Sequence, residues 1–244
     1  MDLVLFDIDG TLVDTGGAGR RAIEAAAMQL YRRPDLFEDV AFDGATDRAI
    51  CRAALRNLDR PFDDSDIDRL LDAYIALLGD EVASSPRYQV YPGVEHLAAT
   101  LESRGVVLGL GTGNVEAGAR VKLQRGDLNR FFSFGGFGDD AEERGALIRM
   151  GLRRGEQILG RRAKDPWIIG DTPKDHAAGR AAGAKVILVA TGRYSVAKPG
   201  LAGPTCASRR WRTSRSSRSS GGRQTDPANW PGAGSWTTMR GLEP

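Results

Sequence analysis

Leu3-Val4-Leu5-Phe6-Asp7-Ile8-Asp9-Gly10-Thr11 is the stretch that decides the fold. Four apolar residues stop abruptly at a polar run with a glycine, the pattern of a buried strand whose carboxyl end opens into a loop. Three further apolar runs end in the same way. Val106 to Leu110 leads into Gly111-Thr112-Gly113-Asn114, Trp167-Ile168-Ile169 into Gly170-Asp171-Thr172-Pro173, and Val186 to Val189 into Ala190-Thr191-Gly192. Helical patterns lie between them, Val94 to Arg104 closing on Gly105 and Asp175 to Ala182 closing before Gly183. Strand alternating with helix predicts an α/β protein with a Rossmann-like parallel sheet covered on both faces. Ligands of such sheets bind beyond the carboxyl ends of the strands. All four polar clusters fall there.

The stretch 16–88 breaks the alternation. It holds no convincing strand but has helical patterns at Arg20 to Tyr31, Asp47 to Leu58 and Ser65 to Val82. Residues 1–15 and 89–200 are therefore expected to form the α/β core, with 16–88 an inserted α-helical cap. The 244 residues and 41% apolar content suffice for a core with a smaller inserted unit.

The net charge of +2 hides an asymmetry: after Gly200 there are seven Arg, no Lys and only Asp226 and Glu243 as acids. The first 200 residues thus carry −3, a mildly acidic body that offers no surface for nucleic acid or membrane. Cys51 and Cys206 have neither paired spacing nor an adjacent His, so neither a disulfide framework nor a zinc site is expected. The N-terminal apolar run meets acids at once and lacks a signal-peptide pattern, and no stretch is long enough to span a bilayer. A cytoplasmic monomer or homodimer is expected.

Residues 201–244 contain two Leu, no Val, Ile, Phe or Tyr, and three of the chain's four Trp. Composition alone reads as disorder; an Arg/Ser-rich RNA-binding tail is a weaker reading. A third is a shifted frame. With G/C-rich codons, reading from the third base of the Gly203 codon yields Ala-Asp-Val-Arg-Val-Glu-Thr-Leu-Ala-Asp-Leu-Glu-Val-Leu-Glu, a strand followed by an amphipathic helix. An α/β core needs that pair at this point, so a frameshift near Gly203 is the expectation.

Asp7 and Asp9 lie at the end of an apolar strand, where two carboxylates repel unless a cation or a shared proton relieves them. A lone Asp-x-Asp would most simply cap a loop. Gly10-Thr11 and the polar ends of three other strands shift the reading toward chemistry.

Phe6-Asp7-Ile8-Asp9-Gly10-Thr11-Leu12-Val13-Asp14 resembles the first motif of the haloacid dehalogenase superfamily. Leu108 to Asn114 resembles the second motif and Gly170-Asp171-Thr172-Pro173-Lys174-Asp175 the acidic fourth. The resemblance covers residues 1 to about 200, and the helical insert is similar to the cap of the phosphoglycolate-phosphatase-like branch. It implies a Mg²⁺-dependent phosphatase acting on a small phosphorylated metabolite. Asp7 would be the nucleophile that forms an aspartyl-phosphate. Asp9 would protonate the leaving oxygen and later deprotonate water; dehalogenating members lack this second Asp.

Thr112 is expected to bond a phosphoryl oxygen, with Gly10, Thr11, Gly113 and Asn114 lining the phosphate site. Asn114 is equally well read as a helix cap. The implied metal ligands are Asp7, Asp9 through its carbonyl, Asp171, and Asp175 directly or through water. The Lys-Pro pair of many relatives is missing between Phe132 and Asp165. Lys122 is the first choice for the cation that balances Asp7, and Arg144 the second. In the Gly-containing loop around Gly44, Thr46, Asp47 and Arg48 are candidate substrate contacts, or else a helix start. A sugar-phosphate mutase and a non-catalytic phospho-acceptor are the alternatives.

Overall fold

The computed structural model describes residues 1–192. The 201–244 tail and its frameshift reading lie outside the described residues. Strand β1 (Leu3–Phe6) is central. It leads through β2 (Val13–Asp14) to helices α1 (Ala18–Tyr31), α2 (Asp47–Leu55) and α3 (Asp64–Ser84), and the chain returns through β3 (Gln89–Val90). Next come α4 (Val94–Ser103), β4 (Val107–Gly111), α5 (Glu116–Gln124), β5 (Gly135–Gly136), α6 (Arg144–Leu159), β6 (Pro166–Gly170), α7 (Pro173–Ala181) and β7 (Lys185–Leu188).

Five strands form one parallel sheet in the order β5-β4-β1-β6-β7. Alternation in β1 feeds two cores. Leu3 and Leu5 face Leu147, Ile148 and Leu152 of α6, while Val4 and Phe6 face the opposite cluster with Ala98, Ala119 and Phe132. Both faces are buried, so β1 reads as a continuous apolar run.

Helices α1–α3 bury a cluster of their own, including Ala22, Ala26, Leu70, Tyr74 and Leu78. Helix α3 begins at a capping box in which Asp63 accepts from the Asp66 N–H and the Asp66 carboxylate accepts from the Asp63 N–H. The chain leaves the sheet and comes back through an antiparallel pair, Val13 opposite Val90 and Asp14 opposite Gln89. Pairs of two residues carry no periodicity, so β2 and β3 were invisible in the sequence; so was β5, which is Gly-Gly.

Candidate active site

Asp7 follows β1 directly, and its N–H donates to the Ile169 carbonyl at 2.9 Å, so the carboxylate is fixed by the sheet itself. Asp171 follows β6, the neighbouring strand, and Asp175 sits in the first turn of α7. Carboxylate oxygens of Asp7, Asp171 and Asp175 all lie within 4.8 Å of one another, and all three residues are buried. Gly10 has φ +80°, and a Cβ there would lie 2.3 Å from the Asp171 carboxylate. Only glycine lets the loop pass so close to the acids.

Burial pushes Asp7 up to about 7; Arg144 opposes the rise, and Asp175 and Asp9 add to it. Asp171 is pushed up to about 8, again mainly by burial and then by Asp7. Burial works against the ionised forms of Asp7 and Asp171, and a cluster of three carboxylates is a site that gains from a hard cation. The three are not equally available. Asp175 Oδ2 accepts from the Thr172 N–H at 3.0 Å and hydroxyl at 2.7 Å, and its Oδ1 accepts from Arg144 at 2.6 and 3.0 Å. Among the described residues Asp171 takes a long side-chain contact from the Thr11 hydroxyl, at 3.4 Å, and is the freer ligand.

Arg144, at the start of α6, is nearly buried and sits 3.1 Å from Asp7 as well as 2.6 Å from Asp175. Asp7 and Asp175 hold its pKa above the ordinary value although burial works the other way. This revises the order of the cations. Lys122, the first choice for Asp7, is buried but bonds Asp9 Oδ2 at 2.7 Å and Asn114 Oδ1 at 2.6 Å. Among the described residues the cation touching Asp7 is Arg144. Its helix was not anticipated, because Arg144 to Leu159 is rich in Arg and Gly and its apolar stripe is thin.

Asp9 lies apart from the acid cluster. Its Oδ2 accepts from Lys122 and, at 2.9 Å, from the Asn114 amide. As an expected metal ligand it is left with its main-chain oxygen. Asn114 also donates to Thr112 Oγ1 at 2.8 Å, so its side chain ties Asp9 to Thr112 and does not cap α5. That helix is capped from elsewhere: Asp47 accepts from the Val115 N–H at 3.0 Å and Asp139 from the Glu116 N–H.

These groups open on a cavity of about 390 Å³. Asp7, Asp9, Gly10, Thr112, Gly113, Asn114, Arg144 and Asp171 line it from the sheet side, Arg20 and Asp47 from helices α1 and α2, and Phe42 and Asp43 from the loop between them. Thr11 is buried and sits behind it, bonded to Asp171. Two candidate substrate contacts are placed elsewhere. Thr46 is the N-cap of α2, accepting from the Ala49 N–H, and Arg48 pairs with Asp68 at 2.6 Å. Asp47, between them, does reach the cavity. Sequence reasoning passed over Arg20 and Phe42, which stack with the guanidinium 4.7 Å from the ring centre; neither belongs to a motif.

The family profile described as haloacid dehalogenase-like hydrolase matches residues 4–189. A phosphoglycolate phosphatase from Pseudomonas fluorescens (strain Pf0-1) is 27% identical over 204 residues, 81% of this chain and 72% of that protein. One from Synechococcus elongatus is 30% identical over 196 residues, covering 79% and 85%. Among solved structures, CbbY from Rhodobacter sphaeroides in complex with phosphate has a TM-score of 0.60 at 20% identity, covering 80% of this chain and 89% of its own. That last likeness concerns the fold.

Proposed function

The chain belongs to the haloacid dehalogenase-like hydrolase family, and from that premise we propose that it is a Mg²⁺-dependent phosphatase hydrolysing a small phosphorylated metabolite through an aspartyl-phosphate on Asp7. One observation carries the reading. A strand-anchored carboxylate, Asp7, shares a buried cluster with two further acids and a guanidinium, while a separately held carboxylate, Asp9, stands beside it. Nucleophile and acid–base group thus have different surroundings, as two carboxylates with two tasks require.

The Asp7 carboxylate attacks phosphorus, and Arg144 favours its ionised form. Asp9 gives its proton to the departing alcohol oxygen, then takes one from the water that opens the acyl-phosphate, which restores Asp7 and releases phosphate. The Thr112 hydroxyl already accepts from the Asn114 amide, so its own proton is available to a phosphoryl oxygen. Asp7, Asp171 and Asp175 fit Mg²⁺ by donor type and spacing, with Asp171 the least engaged of the three. When bound, Mg²⁺ supplies the positive charge that offsets phosphate and carboxylates. Helices α1–α3 act as the cap over the site, and the substrate class of the phosphoglycolate phosphatases is the first to try.

The test is a screen of metabolite monoesters for phosphate release with and without Mg²⁺. Mg²⁺-dependent release that Asp7→Asn abolishes is expected. Isomer formation without phosphate release would indicate a mutase, and unchanged turnover in Asp7→Asn would remove the mechanism.

A further inference from the structure

We propose that Lys122 is a positioning residue that works through Asp9, pinning one oxygen of the acid–base carboxylate so that the other is presented to the leaving group. The assignment rests on the phosphatase reading and adds a cation to it with a different task from Arg144.

The geometry separates the two cations. Arg144 lines the cavity and touches the nucleophile. Lys122 is not among the cavity-lining residues and has 7% of its side chain exposed, so its ammonium acts on substrate through what it holds. It holds Asp9. The 2.7 Å bond from Lys122 and the 2.9 Å bond from Asn114 both end on Oδ2. Among the described residues no hydrogen bond falls on Oδ1, although Asp9 lines the cavity and its side chain is 45% exposed. A carboxylate so near solvent would otherwise rotate among several rotamers. Two converging donors on one oxygen fix both rotation and tilt, and charge-assisted bonds of this length are strong.

Asn114 closes the arrangement. It accepts from Lys122 at 2.6 Å and donates to both Asp9 and Thr112, so acid–base group and phosphoryl donor share one scaffold. The helices enclose that scaffold. A Cβ on Gly19 of α1 would sit 3.4 Å from the Lys122 ammonium. Asp47 of α2 takes the Val115 N–H and gives its own N–H to the Gly113 carbonyl at 2.8 Å, on either side of Asn114. An unpaired buried ammonium is costly, so Lys122 stays on Asp9 as long as the helices cover it.

The test uses kcat/KM, which reports the steps up to alcohol departure, for ethyl phosphate and p-nitrophenyl phosphate. The ethoxide leaving group needs a proton; p-nitrophenolate scarcely does. Lys122→Met should lower kcat/KM for ethyl phosphate roughly 100-fold, within the range of general acid catalysis, and at least about tenfold less for p-nitrophenyl phosphate. On p-nitrophenyl phosphate, adding Lys122→Met to Asp9→Asn should cost less than about threefold, because both act on one function. If Lys122→Met does not fold, Lys122→Gln must show the same discrimination between esters. Equal losses on the two esters, or multiplying losses in the Asp9→Asn background, would overturn the assignment. No turnover of either ester by the unaltered chain with Mg²⁺ would instead overturn the proposed function.

Discussion

Arg144 touches two acids, Asp7 and Asp175, and its contact with Asp7 has a measurable consequence. Its charge holds the Asp7 pKa down against burial. In Arg144→Met, Asp7, the proposed nucleophile, should ionise only at higher pH, so the acid limb of the kcat/KM profile should move up while turnover at neutral pH falls about 100-fold or more. An unmoved limb would mean that Arg144 does not set the charge state of Asp7. At this scale the sequence was half legible. Asp7, Asp9, Thr112 and Asp171 stand at the ends of apolar runs, and the sheet sets all four at the rim of one cavity. Which cation meets which acid depends on how α5 and α6 pack across the sheet, and pattern carries nothing about that. Lys122 and Arg144 were both named as candidates, and the structure sets Arg144 against Asp7 and Lys122 against Asp9.

Between elements, the contact to test is that of α2 with the loop after β4. Asp47 and Gly113 make it from opposite sides: two hydrogen bonds link them to each other's segments, and a Cβ on Gly113 would lie 2.5 Å from the Ala45 carbonyl. Asp47→Ala leaves the Val115 N–H without its acceptor and should cost about 1–3 kcal/mol of stability, read by urea unfolding. Gly113→Ala should push the helices away from Thr112, and kcat/KM should fall more than Tm does. Full activity in Gly113→Ala would show that the close approach has no role. The long helices were readable because their apolar residues recur at helical spacing. Helix α6 was not, and β2, β3 and β5 are too short to show any period. The cross-capping of α5 by Asp47 was hidden for another reason: capping is read from adjacent residues, and this cap comes from a different helix.

Across the whole molecule, the sheet and the start of α7 bring three buried carboxylates together, and stability should record it. Asp7 and Asp171 have folded pKa values raised to about 7 and about 8 from an ordinary 3.8. Groups raised on folding stabilise fully below the unfolded pKa, and that contribution is lost as pH climbs through the folded value. The metal-free protein should therefore lose stability between about pH 4 and pH 8 through these two residues. The proposed Mg²⁺ site takes the acids in their ionised form, so the rise in Tm on adding Mg²⁺ should be larger at pH 8 than at pH 5.5; an equal or reversed order would argue against the acids as its site. The overall α/β plan followed from four apolar runs and their polar ends. The reading of 201–244 as out of frame rests on codons, and the nucleotide sequence of the gene settles it. The proposed nucleophile is tested most directly by quenching the enzyme in acid during turnover of a labelled monoester and mapping the label by mass spectrometry. A phosphoryl group on Asp7, absent from Asp7→Asn, is the predicted result; turnover with no label on the chain, or with label on another residue, would contradict it.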